Sequence, residues 1–354
     1  MKTYLSRVNG LVSILLLSAI SAVAADRHHD ILIVTSTNDS SGNAAVVFQL
    51  NSAATSLSLV STLPTGGNGG ASGNGGAVQF AGSFGAVVNY GSNTISRLVR
   101  EGNAISVAGT VALASQCAQP VSVALNDWHA FVVGSNCAES HAWPQGNLEG
   151  HVVSLTDSSA GQIAVGQSWA GVTLKSGSVL QLPLTAQGAL AGTSVLVTLP
   201  SDAQDTPLGA AFWGDILGFN PAHSPDSFAL VNSGGTVFPV LGPQPAYPNN
   251  APCWLAKGAG NIWYAGNSPG QAISIFFSDG QGGSFYKSVS LPGVPTDIAV
   301  SPDQKWLAVI YTASDGSGAR VSVFSVDPYG DLTLAATSTP IGVSAFSGVA
   351  ISQQ

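Results

Sequence analysis

The sequence predicts an all-β chain in which one four-stranded unit repeats and the copies close into a ring. Three observations carry that prediction. The first is the stretch 295–336. Its runs 295–301, 306–311, 321–327 and 331–336 are short, rich in β-branched and aromatic residues, and bounded by Pro, Asp, Gly or Ser. The second is spacing. Comparable first strands begin at Gly75, Pro120, Pro207, Pro252 and Pro295, with a degraded copy near Gln162. A four-stranded unit of about 40–45 residues is the signature of a β-propeller blade. The third lies at the two ends. Residues 30–36 read as a second strand with no first strand before it, and 346–352 read as a spare first strand. The C-terminal strand is therefore predicted to pair into the first blade and close the ring, which removes exposed sheet edges.

In chain order, the start is not part of this fold. Met1-Lys2 and Arg7 give a positive beginning, 11–20 is a short apolar run, and Ala22-Val23-Ala24 is a small-x-small cleavage signal. Residues 1–25 are thus predicted to be a secretory signal peptide, cut after Ala24 or Ala25. The mature protein, 26–354, is predicted to be a single propeller domain that acts as a monomer, secreted or extracellular, or periplasmic in a bacterium. No later stretch is long and apolar enough to span a bilayer. His28 and His29 follow the cleavage site, as weak metal ligands or as a frayed end. The count is seven blades, with six the alternative if 160–200 does not make a full blade.

The turns between second and third strands often carry Asn: Asn38, Asn89, Asn136 and Asn267. Asn tolerates left-handed backbone and bonds its own turn, so these residues are turn-makers or ligand binders. Lys175 takes the corresponding position in the degraded copy. Asn38-Asp39-Ser40 is also a glycosylation sequon, relevant in a eukaryotic host.

Composition narrows the partners. Charged residues are 8% of the chain, against about 25% in an average domain. Without Lys2 and Arg7, 8 basic residues face 18 acidic ones. That surface repels phosphate backbones, and no Lys/Arg cluster exists, which excludes nucleic acid as a partner. The long basic helix needed to lie on a membrane is absent as well. Three cysteines remain. In a hairpin centred on Asp127, positions whose numbers sum to 254 oppose each other, as Cys117 and Cys137 do. Opposed residues in an antiparallel pair lie within disulfide reach, so a Cys117–Cys137 bridge is predicted; the alternative is two buried free thiols. Cys253 reads as a buried, inert thiol rather than a nucleophile.

The repeat 295–324, its weaker copy Asn89-Tyr90-Gly91-Ser92-Asn93-Thr94-Ile95-Ser96, and the segments 35–48, 63–67 and 251–255 resemble the propeller lactonase family. That family includes bacterial-type 6-phosphogluconolactonases and carboxymuconate cyclase-like proteins, and the chain looks like a secreted branch of it. The resemblance covers nearly all of the mature chain, through blade motifs. It implies a propeller, and a hydrolysis or cyclisation reaction on a small lactone or organic acid at the loop face of the central channel. Secretion counts against a phosphogluconolactone substrate. A propeller that binds a small molecule, glycan or protein without catalysis is the competing reading, since fold does not dictate function.

Four interblade or turn segments read as long loops: 65–76, 135–150, 218–227 and 241–251. Long loops on a rigid scaffold are where function concentrates. The loop 135–150 holds the most chemistry. Glu139 and His141 can serve as a general acid–base pair and Trp143 as a stacking surface, or the Trp folds back over its blade. Among the positions nearest the axis, Asp297 is a lone carboxylate. It is read as a water-activating base, a cation ligand or a cap on a backbone turn beside Pro295; Trp254 is the large aromatic at the same level. No cofactor is called for. Calcium needs several converging oxygens, which Asp297 and the Asn ring can furnish. Zinc signatures, nucleophile elbows and phosphate loops are absent. The glycine-rich stretch 66–76 reads as a flexible connector.

Overall fold

The structure is a computed structural model, and it describes residues 31–353 apart from 156, 202, 224–226, 240–250 and 343–345. The predicted signal peptide, His28, His29 and nearly all of the 241–251 loop lie outside the described residues.

The described chain forms seven four-stranded antiparallel sheets. We number them blades 1 to 7 around the ring. Their inner strands are Ser347–Ser352, Val78–Ala81, Ser122–Leu125, Ala160–Val165, Pro207–Trp213, Pro252–Lys257 and Gly293–Val300. The inner strand of blade 1 comes from the C-terminus and pairs with Ile31–Ser36, Ile33 facing Ile351 and Thr35 facing Val349. The stretch 160–200 makes a complete blade 4, with strands Ala160–Val165, Trp169–Leu174, Ser178–Pro183 and Val195–Val197. The seven-blade count is therefore correct, and the six-blade alternative falls away.

Burial explains the unusual composition. Second and third strands are covered on both faces by neighbouring blades, as in Ile31–Ser36, which is buried throughout. A strand buried on both faces reads as a continuous apolar run with no room for charge. Outer strands alternate instead, as in Leu57–Pro64. The core is accordingly divided among the blade junctions. One cluster joins blades 1 and 7 through Ile33, Phe48, Ile310 and Val321. Another joins blades 5 and 6 through Phe228, Leu230, Trp263 and Phe276. The remaining five junctions each hold their own cluster.

Five inner strands carry a register shift against their second strand: at 347–349, 160–163, 207–210, 252–254 and 295–297. An extra residue bends a strand and re-aims the side chain that follows. Here it sets Trp254 and Asp297 beside the channel.

Candidate functional site

The channel is crossed by the segment 65–76, which links the outer strand of blade 1 to the inner strand of blade 2. This segment is not the flexible connector expected from its glycines. Asn38 accepts hydrogen bonds on Oδ1 from the amides of Gly70 (2.8 Å) and Ala71 (3.0 Å) and donates to the Ala71 carbonyl (2.6 Å). Asn74 reaches across to blade 4 and donates to the carbonyls of Ala160 (2.9 Å) and Gly161 (3.1 Å). A Cβ on Gly75 would collide with Gln162 Oε1 and meet Trp254, and one on Gly69 would strike the backbone of Asn38. Glycine permits this close approach. Its abundance here records tight packing, not mobility.

Two pockets lie end to end along the inner strands and share no lining residue. The first, about 280 Å³, sits on the face of the interblade loops and is walled by Asn38, Ser72, Asn74, Trp254, Thr296 and Ser347 among others. The second, about 220 Å³, lies in the channel toward the opposite face and includes Gln162, Lys257 and Asp297. The division falls between Trp254 and Leu255 on one strand and between Thr296 and Asp297 on another.

Asp297 is 4% exposed. Its Oδ2 accepts from the amides of Gly76 (3.0 Å) and Val349 (3.3 Å), and its Oδ1 from its neighbour Ile298 (2.9 Å). One carboxyl thus ties blades 7, 1 and 2 together, so among its three sequence readings capping describes its contacts. The amides capped are those of Gly76 in the crossing segment, Val349 in the inner strand of blade 1 and Ile298 in its own strand, rather than a turn at Pro295. Burial pushes its pKa up to about 7, against the lowering effect of the three amides.

Glu139 and His141 are not on a loop, and Trp143 lies in the short turn that follows their strand. The stretch read as loop 135–150 contains the third strand of blade 3, Cys137–Ala142, and the start of its outer strand, Leu148–Ser154. Alternation along the third strand puts Glu139 and His141 on one side, facing blade 2. Both are buried, at 0% and 1% exposure. Glu139 Oε1 meets His141 Nε2 at 2.8 Å, Glu139 Oε2 accepts from the Ala114 amide at 3.0 Å, and His141 Nδ1 faces the Gly146 carbonyl at 3.1 Å. Every polar atom of the pair is committed to protein. Trp143 is folded back into the junction of blades 2 and 3 beside Cys117 and Cys137, so it offers no stacking face. The structure separates these residues from Asp297, which stands on the inner strand of blade 7.

The Cys117–Cys137 bridge forms, with Cα atoms 5.5 Å apart, by a route other than hairpin opposition. Ser122 pairs with Val133, so the register sums to 255, and Cys137 belongs to the next strand. The link before blade 3 folds across the blade end instead, held where Asn136 accepts from the Ala118 amide (3.0 Å) and donates to the Gln116 carbonyl (2.7 Å). Cys253 is half-buried, and burial raises its thiol pKa, which fits the inert reading.

The Asn positions do not converge. Asn38 and Asn136 hold loops. Asn89 Oδ1 accepts from Asn43 Nδ2 (3.1 Å) and Thr65 Oγ1 (2.8 Å), and Asn267 Nδ2 donates to Ser274 Oγ (2.7 Å). Asn267 Oδ1 has no partner among the described residues. Asn38 is buried and spent, so its sequon presents no accessible amide. Lys175 is partly buried, with its pKa lowered by that burial, and lines neither pocket. The side-chain oxygens of Asn38, Asn89 and Asn136 are each taken by separate protein donors and Asn267 Oδ1 stands alone, so a converging oxygen set that could take calcium is not assembled among the described residues. Among the described residues, the one cluster of metal-ligand types is Cys117, Cys137 and Glu139, whose sulfurs are spent in the bridge. Trp254 donates its indole N–H to the Pro295 carbonyl (2.8 Å) and to Ser268 Oγ (3.0 Å). Of the predicted binding residues, Asn38 and Trp254 line one of these two pockets, and the others line neither.

Sequence reasoning missed Gln162, whose amide pairs with both the N–H (3.0 Å) and C=O (3.1 Å) of Ala210 across the junction of blades 4 and 5. It missed Lys257 too. That ammonium sits over the rings of Trp213 (5.1 Å) and Trp263 (5.3 Å) and donates to the Gly258 carbonyl at 2.8 Å. Burial pushes its pKa down to about 8. Its place at the end of an inner strand in a chain with few cations was the available signal.

No family profile and no curated protein matches this sequence. Solved structures do. A protein from Lactobacillus plantarum superposes with a TM-score of 0.67 at 15% identity, covering 91% of this chain and 99% of that one. A Bacteroides fragilis protein provisionally named a 6-phosphogluconolactonase gives 0.66 at 12% identity, covering 93% and 99%. A catalytically inactive virginiamycin B lyase from Staphylococcus aureus, solved with quinupristin, gives 0.55 at 15%, covering 76% and 85%. At these identities the likeness establishes the shared fold.

Proposed function

We propose that this protein is a secreted, monomeric propeller of the lactonase type that binds a small molecule at its loop face and holds it without covalent chemistry. The observation that carries this reading is the loop-face pocket of about 280 Å³, whose lining among the described residues contains no carboxylate, imidazole or thiol. General acid–base chemistry needs such a group within hydrogen-bond reach of the substrate. Glu139 and His141 do not reach the pocket, and Asp297 lines the other one. The apolar run 11–20 and its cleavage signal support secretion.

A thermal-shift panel of lactones, sugars and aromatic acids tests the reading, since a ligand of the folded state raises the melting temperature by mass action. The expected result is a shift with at least one ligand, lost in Ser72→Trp, which fills the pocket mouth, and no turnover of that ligand. Sustained hydrolysis that disappears in Asp297→Asn would replace it with the second reading, a lactone hydrolase. What favours that second reading is Asp297, a carboxyl near neutrality beside the channel, together with the likeness to the Bacteroides fragilis protein.

A further inference from the structure

We infer that the loop-face pocket selects an un-ionised, hydroxyl-bearing ring, a neutral sugar or its lactone, and rejects phosphorylated and carboxylate forms. This rests on the proposed binding role of that pocket and specifies its ligand. The described lining is uncharged throughout. Trp254, Pro295 and Phe346 supply apolar wall. The hydroxyls of Ser72 and Ser347 make no hydrogen bond among the described residues, and Thr296 Oγ1 makes only long contacts, 3.4 Å to the carbonyls of Ile310 and Phe346. Asn38 spends both ends of its amide on backbone, and Asn74 spends its NH2 there. The pocket therefore offers neutral donor–acceptor groups against apolar surface, the pattern that suits a ring with one hydroxylated edge. Its volume is at the small end for ligand sites, which run to about 300–1,000 Å³, so it suits one ring rather than a chain.

The cations among the described residues are placed elsewhere. Arg97 donates to the Pro144 carbonyl, Arg100 to the Gly102 carbonyl and Arg320 to Ser317. Lys257 lies over two tryptophans and Lys287 pairs with Asp331. None of these lines the pocket, and neither do Lys175 and Lys305. A phosphate or carboxylate entering it would lose its hydration with no opposite charge in return, a large penalty. Asp297, adjacent to Thr296 on the same strand, can only add negative charge.

Saturation-transfer NMR on the mature protein tests this with methyl β-glucoside, gluconolactone, gluconate and 6-phosphogluconate. Binding of a neutral probe, weakened at least about tenfold in Ser72→Trp, with no signal from either anion, is the expected result. In Ser72→Lys, which sets a cation at the mouth, 6-phosphogluconate should gain binding. If either anion binds the wild-type protein as well as the neutral probes and loses that binding in Ser72→Trp, the pocket stands and the ligand class is overturned. If neutral probes bind equally to Ser72→Trp, or none binds at all, both the pocket and the class are overturned.

Discussion

At Asp297 two physical effects oppose each other. Three backbone amides favour the carboxylate, while complete burial disfavours it, and burial wins, leaving the pKa at about 7. The folded pKa thus lies above the unfolded value of about 3.9. Between those two values the folded state holds a proton that the unfolded state has lost. Stability therefore falls as pH rises from about 4 to about 7 and levels off above. Asn keeps an acceptor for the amides and cannot ionise, so Asp297→Asn should flatten that slope and gain on wild type as pH rises toward 8. Urea unfolding at pH 5 and pH 8 measures this, and parallel slopes for both proteins would overturn the assignment. His141 and Glu139 illustrate a different residue-scale rule. A His and a carboxylate close in sequence look catalytic, yet here neither has an atom left for a substrate.

Among the elements, the bulged inner strands do most to position the pockets. The register shifts at 252–254 and 295–297 each insert one residue, and the next side chain along, Trp254 or Asp297, ends up beside the channel. The crossing segment 65–76 then divides that space. Its glycines are set by collision distance, so Gly75→Ala should push the segment off Gln162 and lower the melting temperature. The disulfide acts on an element too. It joins the link before blade 3 to the third strand of that blade across 20 residues of chain. A loop of that length constrains the unfolded chain by about 3 kcal/mol. The double variant Cys117→Ser/Cys137→Ser should lose about 2–4 kcal/mol in urea unfolding and become insensitive to reductant.

On the scale of the whole molecule, stability depends on the ring being closed. Each junction has its own apolar cluster, and the one between blades 1 and 7 draws Val349 and Ile351 from the C-terminal strand. Deleting residues 347–354 would leave blade 1 without its inner strand, expose the edge of Ile31–Ser36, and remove the amide of Val349 from Asp297. The expected outcome is a chain that aggregates or melts far below wild type by circular dichroism and light scattering. A truncated protein that stays monodisperse and melts near the wild-type temperature would show that the other junctions suffice.

The sequence paired Cys117 with Cys137 from a hairpin register that the structure does not have. By itself it determined the repeat, a count of seven blades with six still open, and the closure by the last strand. These depend on local signals: short β-branched runs, turn residues between them, and a regular spacing that survives much substitution. Blade 4 shows the strength of that spacing, because its degraded first strand still falls where the period requires it. Tertiary structure alone decided which polar residues share a space. Seven blades meet at the axis, so neighbours such as Asn74 and Ala160, or Asp297, Gly76 and Val349, come from distant parts of the chain. Spacing along one strand cannot report that. It also decided that most of the 135–150 stretch is strand, with Glu139 and His141 paired to each other and Glu139 closed off by the Ala114 amide from the link after blade 2. The reason is general to ring-shaped repeats: the period is written in each copy, but the contacts that give a side chain its chemistry are made between copies.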